Sequence, residues 1–200
     1  MPRKPLLVAA LMAATLAPLA QTARAVELKI SREALERTLK AQLFSGPGGR
    51  YYLQGDARSA CYVYAEAPSV AFAGDRIVVR VHTSARLGAH LHGACLGVSL
   101  APNASVSMVP AAEGETIGFR DARVERVSDS RQLNFILLPF LSHKIPSSLK
   151  VDAAALLRQL LTQSLASTGY SVTLDHLKIH SMVIESDHLT VDLDGDLSVN

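Results

Sequence analysis

The sequence predicts an α+β domain: a twisted antiparallel sheet, made of a four-strand meander plus a C-terminal hairpin, with one apolar face and two leucine-striped helices to cover it, one of them N-terminal. Three observations carry this. Leucine recurs at helical spacing in two segments, residues 30–44 and 152–166. Elsewhere apolar and polar residues alternate at period two between short turns. No low-complexity linker and no internal repeat divides residues 26–200, which therefore read as a single domain.

Residues 1–25 stand apart. Arg3 and Lys4 precede an apolar run from Leu6 to Ala20, and Ala23-Arg24-Ala25 supplies small residues at the spacing a signal peptidase reads. The expectation is a cleaved secretory signal peptide. The alternative, an uncleaved anchor, needs a longer apolar run of about 20 residues. No cysteine follows the run, so no lipid-modified anchor is expected. The location implied is the periplasm or the extracellular space.

The elements follow in order. Ser31 can cap a helix running to Phe44, with Ile30 and Leu35 as a hydrophobic staple. Leu35, Leu39 and Leu43 form its stripe, and Ser45-Gly46-Pro47-Gly48-Gly49 ends it. Cys61, Val63 and Ala65 alternate with polar or aromatic neighbours in a first strand. After a turn at Gly74-Asp75, Ile77, Val79 and Val81 mark a second. Val98, Leu100, Val106 and Met108 suggest a third, interrupted at Pro102. Ile117, Phe119, Ala122 and Val124 suggest a fourth, with the phase slipping near Arg120-Asp121 as a bulge would cause. Residues 133–141 are almost continuously apolar, but Pro139 and Pro146 are expected to interrupt any long helix there. Asp152 caps the second helix, whose apolar face is Leu156, Leu157, Leu160, Leu161 and Leu165. Two last strands, 171–185 and 189–199, meet at Ser186-Asp187-His188.

The capped helix from Ser31 to Phe44, the four-strand meander, the cluster Leu137-Leu138-Pro139-Phe140-Leu141 before a helix, and the terminal hairpin from Tyr170 onward together resemble the YceB-like periplasmic proteins. Those are similar in architecture to the tubular lipid-binding (TULIP) superfamily. The chain differs in lacking a lipobox cysteine and in carrying Cys61 and Cys95. The resemblance implies a curved sheet around a helix, with a hydrophobic cavity for lipid-like ligands. On that basis, and from the surplus of apolar faces, the expected function is non-enzymatic binding or transport of a fatty acid or lipid. The ligand is expected between the concave face of the sheet and the helix from Ala153 to Ala166. Its candidate lining is Leu39, Val79, Val81, Val106, Phe119, Phe140, Leu157 and Leu161. The alternative is a protein-interaction or envelope-assembly module with a filled core, using exposed strand edges.

Charge and composition narrow the classes. Without Arg3, Lys4 and Arg24, 17 basic residues face 18 acidic ones. That near-neutral balance argues against nucleic-acid binding. Transient contact with a membrane or an envelope protein is compatible with it. Cys61 and Cys95, the only cysteines, favour a disulfide in an exported chain, with two buried free thiols as the alternative. The bridge requires α-carbons within about 7 Å.

Other patterns point less far. His90 and His92, with His82 near in sequence, read as surface histidines rather than a metal site, since further ligands are not evident locally. His176 and His180 lie on a strand, which removes the shared face that their spacing would give on a helix. Asp192, Asp194 and Asp196 have the wrong glycine position for a calcium loop and read as a solvated strand face. No serine lies in a nucleophile-elbow motif, and no phosphate loop occurs. No enzyme activity, cofactor or metal is expected.

Overall fold

The computed structural model describes residues 26–163 and 169–199. The expected signal segment, and the expected last turn of the second helix with Leu165, lie outside them. The elements are β1 (Val26–Ser31), α1 (Arg32–Leu43), β2 (Arg50–Gln54), β3 (Tyr62–Ala73), β4 (Arg76–Leu91), β5 (Ala94–Leu100), β6 (Asn103–Glu113), β7 (Thr116–Arg126), α2 (Arg131–Pro139), a π-helical turn (Phe140–Lys144), α3 (Ile145–Ser148), β8 (Val151–Asp152), α4 (Ala153–Leu161), β9 (Val172–Ile184) and β10 (His188–Val199).

The molecule is α+β and mostly strand, and its main antiparallel sheet is strongly curled. Among the described residues the strands form two sheets. The larger runs β2-β3-β4-β6-β7-β8, with β5 paired to the far end of β4. The smaller runs β1-β10-β9. The C-terminal hairpin therefore joins the N-terminal strand β1, with Ile30 opposite Leu189 and Val26 opposite Leu193. The expected third strand is two: β5 returns along the end of β4, and β6 restarts after Pro102, whose carbonyl accepts from the Thr83 N–H and hydroxyl. The slip in β7 is real. Asp121 has φ +52, and the β6–β7 register shifts between Ser107 and Val109.

Local chemistry explains the helices. The Ser31 hydroxyl accepts from Ala34 N–H at 3.2 Å, and Leu35, Leu39 and Leu43 are buried. The Asp152 carboxylate likewise accepts from Ala155 N–H at 2.8 Å. The two prolines do not break the intervening segment as expected. Pro139 has no N–H, and its ring crowds the Phe135 carbonyl one turn back. The following turn widens instead, with Ile145 N–H donating to Phe140 O. Ser142 Oγ also donates to Leu138 O at 2.7 Å. Pro146 falls directly after this widened turn, at the second residue of α3. Helical backbone thus continues from Arg131 to Ser148.

This run corrects the expected layering. The apolar face of the sheet is covered by α1 and by the 131–148 segment, through Leu35, Leu39, Leu133, Leu137, Phe140, Leu141 and Ile145. The helix α4 instead packs against β9 and β7. Its Leu156 and Leu160 are exposed, because the earlier helices already occupy the curl of the sheet.

Candidate functional site

The eight predicted lining residues share one apolar mass. Val79 and Val106 sit opposite each other on β4 and β6, and Val81 extends that face. Phe119 joins from β7, Leu39 from α1 and Phe140 from the π turn. Phe140 stacks on Tyr51 at 5.1 Å and meets Phe44 edge-on at 6.5 Å. None of these six is more than 6% exposed. Leu157 and Leu161, on α4, are half-buried against the same mass. The six form closed core, and the α4 pair lies at its margin.

The opposite face of the sheet holds a trough of about 830 Å³. Ser69, Arg76, Arg80, His82, Ser105, Ser107, Glu125 and Arg126 are among its walls. Arg76 donates to the Ser107 hydroxyl at 2.9 Å and to the carbonyls of Ser107 and Asp121. Glu125 accepts from the Ser107 hydroxyl. His82 Nδ1 lies 3.1 Å from Asn103 Oδ1. The sequence reading missed the trough, although the signal was there. Arg76, Arg80 and His82 share the parity opposite to that of Ile77, Val79 and Val81 and so face the other way.

The far half of β4 and all of β5 leave the body as a two-stranded ribbon. Its opposed pairs are Ala85 with Leu100, Leu87 with Val98, Ala89 with Leu96, and Leu91 with Ala94. Between them lie pairs of the other face: Arg86 with Ser99, Gly88 with Gly97, and His90 with Cys95. One face is wholly apolar because each strand alternates at period two in matching register. His92 and Gly93, both at positive φ, make the tip turn.

Cys61, at the foot of β3, is bonded to Cys95, with α-carbons 5.1 Å apart. The disulfide ties the ribbon to the loop between β2 and β3. Asp56 orders that loop. Its carboxylate accepts from Arg58 N–H at 2.8 Å and from the Ser59 hydroxyl at 2.9 Å, and these bonds hold it below the ordinary aspartate range. Behind them Arg50 stacks over Tyr64 and bonds Glu66 at 2.9 Å, which raises the arginine further above neutrality.

No protein-family model matches the chain, and no curated protein matches it. Among solved structures, the crystal structure of lipopolysaccharide binding protein aligns at 11% identity over 86% of this chain, with a TM-score of 0.32. This chain spans 50% of that one.

The histidines that the sequence singles out do not come together. His90 lies opposite Cys95, and His92 is in the turn. His180 bonds Asp194, and Ser181 bonds Asp192, across the β9–β10 pair. His188 lies 2.6 Å from Asp187 and 3.6 Å from Glu185, but among the described residues no group of three or more His, Cys, Asp or Glu side chains could hold a metal ion. None of the described helices is long and apolar enough to cross a membrane.

Proposed function

We propose that this protein is a non-enzymatic binder or carrier of a hydrophobic ligand, a fatty acid or lipid, acting in the periplasm or outside the cell. The bridge between Cys61 and Cys95 supports an oxidising compartment. The observation that carries the ligand reading is the margin of the core at α4. There Leu157 and Leu161 rest half-buried on the core, while Leu156 and Leu160 face solvent. A helix with leucines on both flanks and only one flank partly covered can admit an acyl chain beneath it without opening the sealed interior. Each buried methylene contributes about 0.8 kcal/mol, so such a site needs no polar motif.

A second reading has its own support. The six closed residues around Leu39 and Val106 form filled core against the sheet, as a protein-interaction or envelope-assembly module would require. Organic-solvent extraction of the purified protein followed by mass spectrometry, together with displacement of a fluorescent fatty acid, separates the two. The expected outcome is co-purified lipid and saturable displacement. Lipid-free protein that also fails to displace the probe leaves the interaction module.

A further inference from the structure

We infer that the β4–β5 ribbon is a membrane-docking element that lays its apolar face into the interface of an anionic lipid bilayer. This goes beyond the ligand reading and does not depend on it. Leu91, Leu96 and Val98 are 51%, 57% and 58% exposed, all on one face and adjoining one another across the pair. A contiguous apolar face held out in water marks an interaction site.

Charge chooses the occupant. From Arg76 to Ala112 the chain carries no carboxylate, and it places Arg76, Arg80, Arg86, His82, His90 and His92 on β4 and the ribbon tip. Arg86 and His90 lie on the face behind the leucines. An apolar surface backed by Arg86, on two strands that carry no carboxylate of their own, is the pairing that binds anionic headgroups while burying hydrocarbon.

The ribbon is also prepared for the role. A Cβ on Gly88 or Gly97 would overlap the carbonyl of Leu96 or Leu87, so the backbones approach closely there. The bond from Cys95 to Cys61 fixes the same level to the body. An ordered element loses little conformational entropy on docking.

The test uses the folded protein with its disulfide intact, sedimented with phosphatidylcholine vesicles with and without phosphatidylglycerol. The wild type is expected to sediment with the anionic vesicles and much less with the neutral ones. Replacing both leucines, Leu91→Ser with Leu96→Ser, should lower the bound fraction about tenfold. Val183→Ser, at an exposed valine on β9, should leave it unchanged. Arg86→Gln should bring anionic binding toward the neutral level. If the double variant melts earlier than wild type, Val98→Ser alone replaces it. Absence of wild-type sedimentation, or equal sedimentation of the leucine variant, overturns the inference. So does a concentration-dependent dimer without vesicles that the leucine variant abolishes, since the face then belongs to a second copy. Fatty-acid displacement in solution reads α4 and sedimentation reads the ribbon, so either proposal can fail alone.

Discussion

Asp56 shows how one side chain can set a larger arrangement. It lies five residues before Cys61, in the segment that delivers the disulfide to the ribbon. Its carboxylate draws first on the Arg58 N–H and then on the Ser59 hydroxyl, so its folded pKa is lowered from the ordinary 3.8. A carboxylate depressed by folding contributes stability above its unfolded pKa and loses that contribution as pH falls through the folded value. The urea midpoint of Asp56→Ala is therefore expected to lie below wild type at neutral pH. The two should converge in acid, below 3.8. Carboxyl chemical shifts followed by NMR report the same event directly, and an Asp56 midpoint at or above the ordinary value refutes the account.

Among the elements, the ribbon depends most on a covalent link. It pairs through β4 alone, and its outer edge is unpaired among the described strands. The disulfide closes a loop with a sequence separation of 34. The chain-entropy model assigns about 4 kcal/mol to a loop of that size. Cys61→Ser with Cys95→Ser should lower the denaturation midpoint accordingly, and limited proteolysis should then cut first between Leu87 and Val98. Unchanged stability and protection would mean that strand pairing alone holds the ribbon. Several elements were legible because their signals are local. Ser31 and Asp152 cap the helices where a hydroxyl or carboxylate precedes a leucine stripe, and the slip at Asp121 shows as a change of phase. The ribbon was not legible, because Val98 and Leu100 continue the alternation of Val106 and Met108 across Pro102 with no change of period. Nor was the continuous 131–148 helix. A π turn after Pro139 is a tertiary compromise, made because Phe140 and Leu141 must both be buried.

In the whole molecule, sequence periodicity could show that the sheet had one dry face, but not which helix would cover it. Helices α1 and α2–α3 reach it, and α4 is left on the margin, because β9 belongs with β10 and β1 in a separate sheet and draws α4 toward it. That division yields opposite expectations for two groups of the predicted lining. Leu39 is fully buried, so Leu39→Ala should cost about 2–5 kcal/mol through lost burial and a residual cavity. Leu157 and Leu161 are only half-buried, so replacing both by Asp should cost less. A ligand that binds the folded state alone raises stability by mass action, about 2.7 kcal/mol at a hundredfold excess over its dissociation constant. With saturating fatty acid, Leu39→Ala should therefore melt low and still shift upward, while the Leu157→Asp, Leu161→Asp variant should melt above Leu39→Ala and no longer shift. Scanning calorimetry reads both. The reverse pattern would place the ligand in the closed interior, and no shift in the wild type would make that interior, already filled by its own side chains, a scaffold rather than a receptor.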